Sequence, residues 1–188
     1  MNGVCGVTSI FSSAKFLINN QNRYNLYLSL ILPGFGFIFD ALDGKVARWR
    51  KSSSMLGQEL DSLADLISFG VAPAFIAFTI GLRSLVDTIV LTMFVCSGLA
   101  RLARFNATIA NLPKDSSGKS KYFEGLPIPS SLFLVSVMAY LVSSDRINEN
   151  LPFGEVTIVD GYSFHLISIL FGFWATAMVS KTLKVPKL

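Results

Sequence analysis

Four aspartates define the chemistry open to this chain. Asp40, Asp43, Asp61 and Asp65 lie within DALDGKVARWRKSSSMLGQELDSLAD, residues 40–65. The first pair is spaced i,i+3 and the second i,i+4. On helices each pair shares one face, about one turn apart. A short Ser- and base-rich turn joins the two acidic helices, and apolar segments long enough to cross a membrane flank them. Carboxylates at membrane depth are costly and normally face a bundle interior or a watery cavity. Four that converge repel one another unless something positive sits among them, and a hard divalent cation with oxygen ligands is the natural candidate. Glu59 stands two residues before Asp61, points away from the Asp61/Asp65 face, and reads as solvated.

Other residues extend the pattern. Gly44 follows Asp43 and Gly57 opens the second acidic helix. Glycine lets a ligand or a neighbouring helix approach the backbone closely. Arg48 lies one turn past Gly44, where it can reach a phosphate. In SGLARLARFNATIA, Arg101 and Arg104 share a face one turn apart, with Asn106 just beyond. They lie several residues inside the end of their apolar segment, at the depth of the aspartates. That shared depth argues for one polar cavity.

The elements that must position these groups are helices in a membrane. The chain has 188 residues, of which 52% are apolar and 15% charged, and its mean hydropathy of +0.55 exceeds that of an ordinary soluble domain. Apolar runs of roughly 20 residues match a hydrocarbon core of ~30 Å. Six occur, at about 1–17, 26–50, 57–80, 84–108, 127–144 and 162–182. Strands are not expected, because no period-2 alternation is sustained and sheets in lipid must close into barrels. The expectation is a single all-α, membrane-embedded domain over residues 1–188 with six transmembrane helices. Leu26–Phe39 reads as plain lipid-facing sequence, and Pro73 is expected to kink the third span. A span follows Met1 almost at once, so a further N-terminal segment is expected ahead of it.

Cys5 and Cys96 fall inside apolar runs, so no disulfide framework is expected. His165 has no second His or Cys nearby and reads as a packing or interfacial residue. The basic residues Lys45, Arg48, Arg50, Lys51, Lys114, Lys119, Lys121, Lys181, Lys184 and Lys187 fall on one side. Lys15, Arg23, Arg83 and Arg146 fall on the other, diluted by Asp87, Asp145, Glu149, Glu155 and Asp160. The positive-inside rule then puts both termini and the acidic turn in the cytosol. The net charge of +4 reads as this bias beside anionic lipid, and no nucleic-acid partner is expected.

The spacing D-x2-D-G-x2-A-R-x8-G-x3-D-x3-D covers Asp40, Asp43, Gly44, Ala47, Arg48, Gly57, Asp61 and Asp65. It resembles the signature of the CDP-alcohol phosphotransferase family, with every fixed position matched. RLARFN, FEGLPIP and QELDSLADLISFGVAPA are similar to the fungal-type branch that takes L-serine as acceptor. The likeness is strongest from 40 to 130 and weak in the last two spans. It implies an enzyme that moves a phosphatidyl group from CDP-diacylglycerol to the serine hydroxyl, releasing CMP. It implies two ions of Mg²⁺ or Mn²⁺ held by Asp40, Asp43, Asp61 and Asp65, with Asp65 also the general base. Asn2, Gly44, Arg48 and Gly57 would bind CDP-diacylglycerol. Arg101, Arg104 and Asn106 would grip the serine carboxylate by charge-assisted hydrogen bonds. A homodimer among membrane lipids follows from the same resemblance, in the endoplasmic reticulum with its site facing the cytosol. Inositol or glycerol 3-phosphate as acceptor would use the same signature. A cation transporter is the alternative of another class, although the repeated halves and broken helices common in transporters are not evident.

Overall fold

The computed structural model describes residues 1–19, 22–49, 55–111, 122–152, 154–159 and 162–186. The turn at 50–54, with Arg50 and Lys51, lies outside the described residues. So do the polar stretch 112–121, with Lys114, Lys119 and Lys121, and also Asp160 and Lys187. Helices carry the chain. They are α1 (Asn2–Ile18), α2 (Arg23–Trp49), α3 (Met55–Asp65), α4 (Ala72–Ile80), α5 (Leu85–Asn111), α6 (Leu132–Ser143) and α7 (Leu166–Val179). They fall on the six apolar runs, with α3 and α4 sharing one. Arg23–Val46, Leu56–Ile80 and Leu85–Ala107 are long and apolar enough to cross a membrane. The apolar helices over Ile128–Ser143 and Leu166–Val179 are shorter, and α1 has 17 residues. Among the described residues, then, three of the six expected spans reach that length.

Short strands occur where none is expected. β1 (Tyr122–Glu124) pairs antiparallel with β4 (Lys184–Pro186), and β2 (Glu155–Val159) with β3 (Tyr162–His165). EVTIV and YSFH carry the β-branched and aromatic residues that suit strands. They lie in a connection between helices, where two short strands satisfy each other's backbone groups without a closed barrel. The last expected span therefore turns helical only at Leu166.

Two prolines shape the helices that carry the acids. Pro33 lies inside α2, so the carbonyl of Ser29 loses its usual donor four residues on. Ser9 of α1 replaces that donor, its Oγ donating to the Ser29 carbonyl at 2.6 Å. The stretch is not plainly lipid-facing, since Leu26, Ser29, Leu30, Pro33 and Gly36 are buried on a helix that packs chiefly along α1. Pro73 does more than kink. It cannot donate to Phe69 and its ring crowds that carbonyl, and the chain widens into a π-helical segment, Leu66–Val71. There the Ala72 N–H reaches the Ile67 carbonyl, five residues back. Such widened turns gather at functional sites, and this one starts directly after Asp65.

The core lies between these helices. Phe94 of α5 and Phe171 of α7, both fully buried, meet edge to face with centroids 5.3 Å apart. Phe133 stacks on Trp174 at 5.3 Å, whose Nε1–H donates to Ser130 Oγ at 2.9 Å. The FEGLPIP stretch is tied to the end of α7. Gly125 (φ 77°) donates its N–H to the Leu183 carbonyl at 2.9 Å. A Cβ there would lie 2.3 Å from the Met178 carbonyl oxygen, so both the left-handed backbone and the close approach require glycine.

Candidate active site

Asp40 comes from the C-terminal part of α2, and Asp61 and Asp65 from α3. One carboxylate oxygen from each lies within 4.8 Å of the others. Asp61 is exposed, while Asp40 and Asp65 are half-buried. Asp40 and Asp61 are within hydrogen-bonding reach of each other. Asp43, one turn on from Asp40, is 62% exposed and stands outside this group. The like charges are offset from two directions. Asn2 Nδ2 donates to Asp65 Oδ1 at 2.8 Å. Arg101, only 7% exposed, acts electrostatically on Asp65 and holds its guanidinium 5.5 Å over the Phe105 ring.

The sequence of α1 explains how Asn2 arrives there. A Cβ on Gly6 would lie 2.5 Å from Ser68 Oγ and 2.8 Å from Ser68 Cα. Only a missing side chain lets α1 rest on the π segment. Ser68 Oγ then donates to the Asn2 carbonyl at 3.0 Å, and Gly3 passes Ala64 in ordinary contact. Asn2 itself is 3% exposed.

The remaining expected residues fall in three places. Gly57 is exposed at the start of α3, and a Cβ on Gly44 would meet nothing within 4 Å. The side chain of Arg48 lies outside the described residues. Arg104 Nη1 donates to the Val179 carbonyl at 3.0 Å, at the C-terminus of α7, where a cation is favourable. Asn106 Oδ1 accepts from Ser62 Oγ at 3.2 Å. The structure thus brings Arg101 to the acids and Asn106 to the helix bearing Asp61 and Asp65, and it fastens Arg104 to α7. Ser62, Ser68 and Gly36 are neighbours of the site that sequence reasoning passed over. The spacing held a signal for all three, because Ser62 is i−3 and Ser68 i+3 from Asp65 and Gly36 is i−4 from Asp40, each on the acid's own helix face.

Three carboxylate oxygens gathered this closely fit a hard divalent cation. Oxygens sharing one ion at about 2.1 Å lie at most about 4.2 Å apart, so this group, within 4.8 Å, would close slightly around one.

Residues 1–178 match the family model described as CDP-alcohol phosphatidyltransferase, and the chain belongs to that family. Its whole length is 52% identical to the CDP-diacylglycerol–serine O-phosphatidyltransferase of Saccharomyces cerevisiae and spans 68% of that protein. It is 36% identical over 72% of its length to the enzyme of the same name from Helicobacter pylori, of which it spans 52%. To that of Methanocaldococcus jannaschii it is 40% identical over 64%, spanning 57% of that protein. No solved structure matches the chain.

Proposed function

We propose that this chain is a phosphatidylserine synthase, transferring the phosphatidyl group of CDP-diacylglycerol to the hydroxyl of L-serine and releasing CMP. The observation that carries the reading is the gathering of Asp40, Asp61 and Asp65 beside Arg101. It occurs in a chain 52% identical, end to end, to a yeast protein named for this reaction.

Phosphoryl transfer asks the protein for charge neutralisation and alignment more than for covalent help. Asp40, Asp43, Asp61 and Asp65 would hold two divalent ions, Mg²⁺ or Mn²⁺. Such ions, when bound, neutralise the pyrophosphate and the departing CMP. Asp65 takes the proton from the serine hydroxyl as its oxygen bonds to the phosphorus next to diacylglycerol. The phosphorus–oxygen bond to CMP breaks, and CMP leaves with the electron pair. Gly44, Arg48 and Gly57 line the nucleotide side. Arg101 faces the serine carboxylate in this reading, and Arg104 and Asn106 would join it by giving up the Val179 carbonyl and the Ser62 hydroxyl. The acyl chains stay in the bilayer while the headgroup enters from the side. Lys45 and Arg48, close to the acids in sequence, favour a cytosolic orientation. The endoplasmic reticulum and a homodimer belong to the same reading, as the family resemblance implies.

The test is CMP release by the purified chain in detergent, with CDP-diacylglycerol and Mn²⁺. L-serine, inositol and glycerol 3-phosphate are offered in turn, with EDTA and Asp65→Asn as controls. Release should depend on serine and vanish in both controls. Release with inositol or glycerol 3-phosphate alone would change the acceptor, and no release with any of them would overturn the assignment.

A further inference from the structure

We infer that Asn2 is a positioning residue that fixes the carboxylate of Asp65 for proton transfer, with Gly36 holding Asn2 in place. The inference rests on the reading of Asp65 as the base. It begins with an asymmetry in the Asn2 amide. Its Nδ2 donates to Asp65 Oδ1 at 2.8 Å, while its Oδ1 is buried with no hydrogen-bond partner. An amide carries two donors and an acceptor, and an ionised carboxylate only accepts. The nitrogen must therefore face Asp65 and the oxygen must face away. A buried acceptor left without a donor is costly, so packing alone gives no reason for asparagine at this 3%-exposed position. The bond to Asp65 does.

The surroundings leave the amide one position. A Cβ on Gly36 of α2 would lie 2.8 Å from Asn2 Oδ1 and 3.5 Å from the Cβ of Cys5. The backbone of α2 thus backs the amide on the side away from Asp65. Ser68 Oγ holds the Asn2 carbonyl at 3.0 Å, and Gly6 keeps α1 against the π segment. Gly36 sits one turn before Asp40 on α2, and Ser68 one turn after Asp65. The two helices that bring the acids together therefore both press on Asn2. An Asp65 side chain gripped at one oxygen presents the other in a fixed direction, and small misplacements of a reacting group are expensive in rate.

Two substitutions separate this role from nucleotide contact. Asn2→Ala removes the donor. The atoms nearest a methyl on Gly36 are Asn2 Oδ1, Cys5 Cβ and the Asn2 carbonyl oxygen, none of them an acid's, so Gly36→Ala acts on Asp65 by displacing the amide. In the serine-dependent CMP-release assay, each should lower kcat by roughly 10- to 100-fold, with the KM for CDP-diacylglycerol within about twofold of wild type. The double variant should be no slower than Asn2→Ala alone. Thermal unfolding in detergent reports whether either variant has lost its fold, and Asn2→Ala alone decides if Gly36→Ala has. A raised KM for CDP-diacylglycerol with kcat retained would move Asn2 to the nucleotide and overturn the inference, as would multiplicative effects in the double variant. Infrared difference spectra supply a readout independent of turnover, with the Asp65 carboxylate band identified through Asp65→Asn. That band should shift alike in both single variants, and an unmoved band overturns the inference. A wild-type chain inactive with every acceptor would sink the functional reading instead, and the band would still decide the Asn2–Asp65 bond.

Discussion

Two acidic sites, one a single aspartate and the other a cluster, stand at different ends of this molecule, and the fold treats them in opposite ways. Asp87 opens α5, and Arg101, beside the signature acids, lies 14 residues further along it, about 21 Å at ~1.5 Å per residue. Asp87 is fully buried and answered on every side. It accepts the backbone N–H of His165 at 3.0 Å and of Ser84 at 3.3 Å, and its Oδ2 is 2.6 Å from His165 Nδ1. Ser84 Oγ accepts the Asp87 N–H in return, a reciprocal cap at the start of α5. Asp40, Asp61 and Asp65 instead face one another. A carboxylate satisfied from within offers nothing to a ligand, and Asp87 fastens the β3–α7 junction to α5. Carboxylates aimed at each other carry a repulsion that folding alone would remove, and such arrangements are kept where activity needs them.

This contrast predicts opposite responses to loss of a charge. Asp61→Asn should lower CMP release by about a thousandfold or more, with a thermal midpoint in detergent equal to wild type or higher. A clear drop in that midpoint would make the cluster a structural one. Asp87→Ala should do the reverse. It removes one partner of a buried pair and strands several donors, at about 3 kcal/mol, so the midpoint should fall while kcat per folded molecule stays within about threefold. A catalytic loss with normal stability would show that the two ends are coupled. The smallest effect is expected from Ser9→Ala, which leaves the Ser29 carbonyl beside Pro33 without its donor, at about 1 kcal/mol. Denaturant unfolding should register it, with CMP release nearly unchanged.

Much of the acid end was legible because its information is local. The spacing of Asp40, Asp43, Gly44, Arg48, Gly57, Asp61 and Asp65 lies within 26 consecutive residues, and helical periodicity alone puts each pair on one face. The apolar runs gave the helices for a similar reason. The Asp87 end was not legible, because His165 is 78 residues away and nothing in either neighbourhood names its partner. The π segment was half legible, since Pro73 announces a disturbance but not which way the helix yields. The short strands escaped because three to five residues hold too little periodicity to outweigh a membrane composition. The role of Pro33 escaped because the hydroxyl that compensates for it sits on another helix.

The buried face of α1 also bears on how the protein is made. Asn2, Ser9, Ser12 and Ser13 are all buried, and the partners of Asn2 and Ser9 lie in α2, α3 and the π segment. During translation α1 leaves the ribosome before any of them, and acyl chains cannot hydrogen-bond to its serines and asparagine. The helix that lines up the acids is thus made before α3 and the π segment, which supply the partners of Asn2. The three acids can meet only once α3 has been made, so a nascent chain stalled before Asp65 lacks the complete cluster.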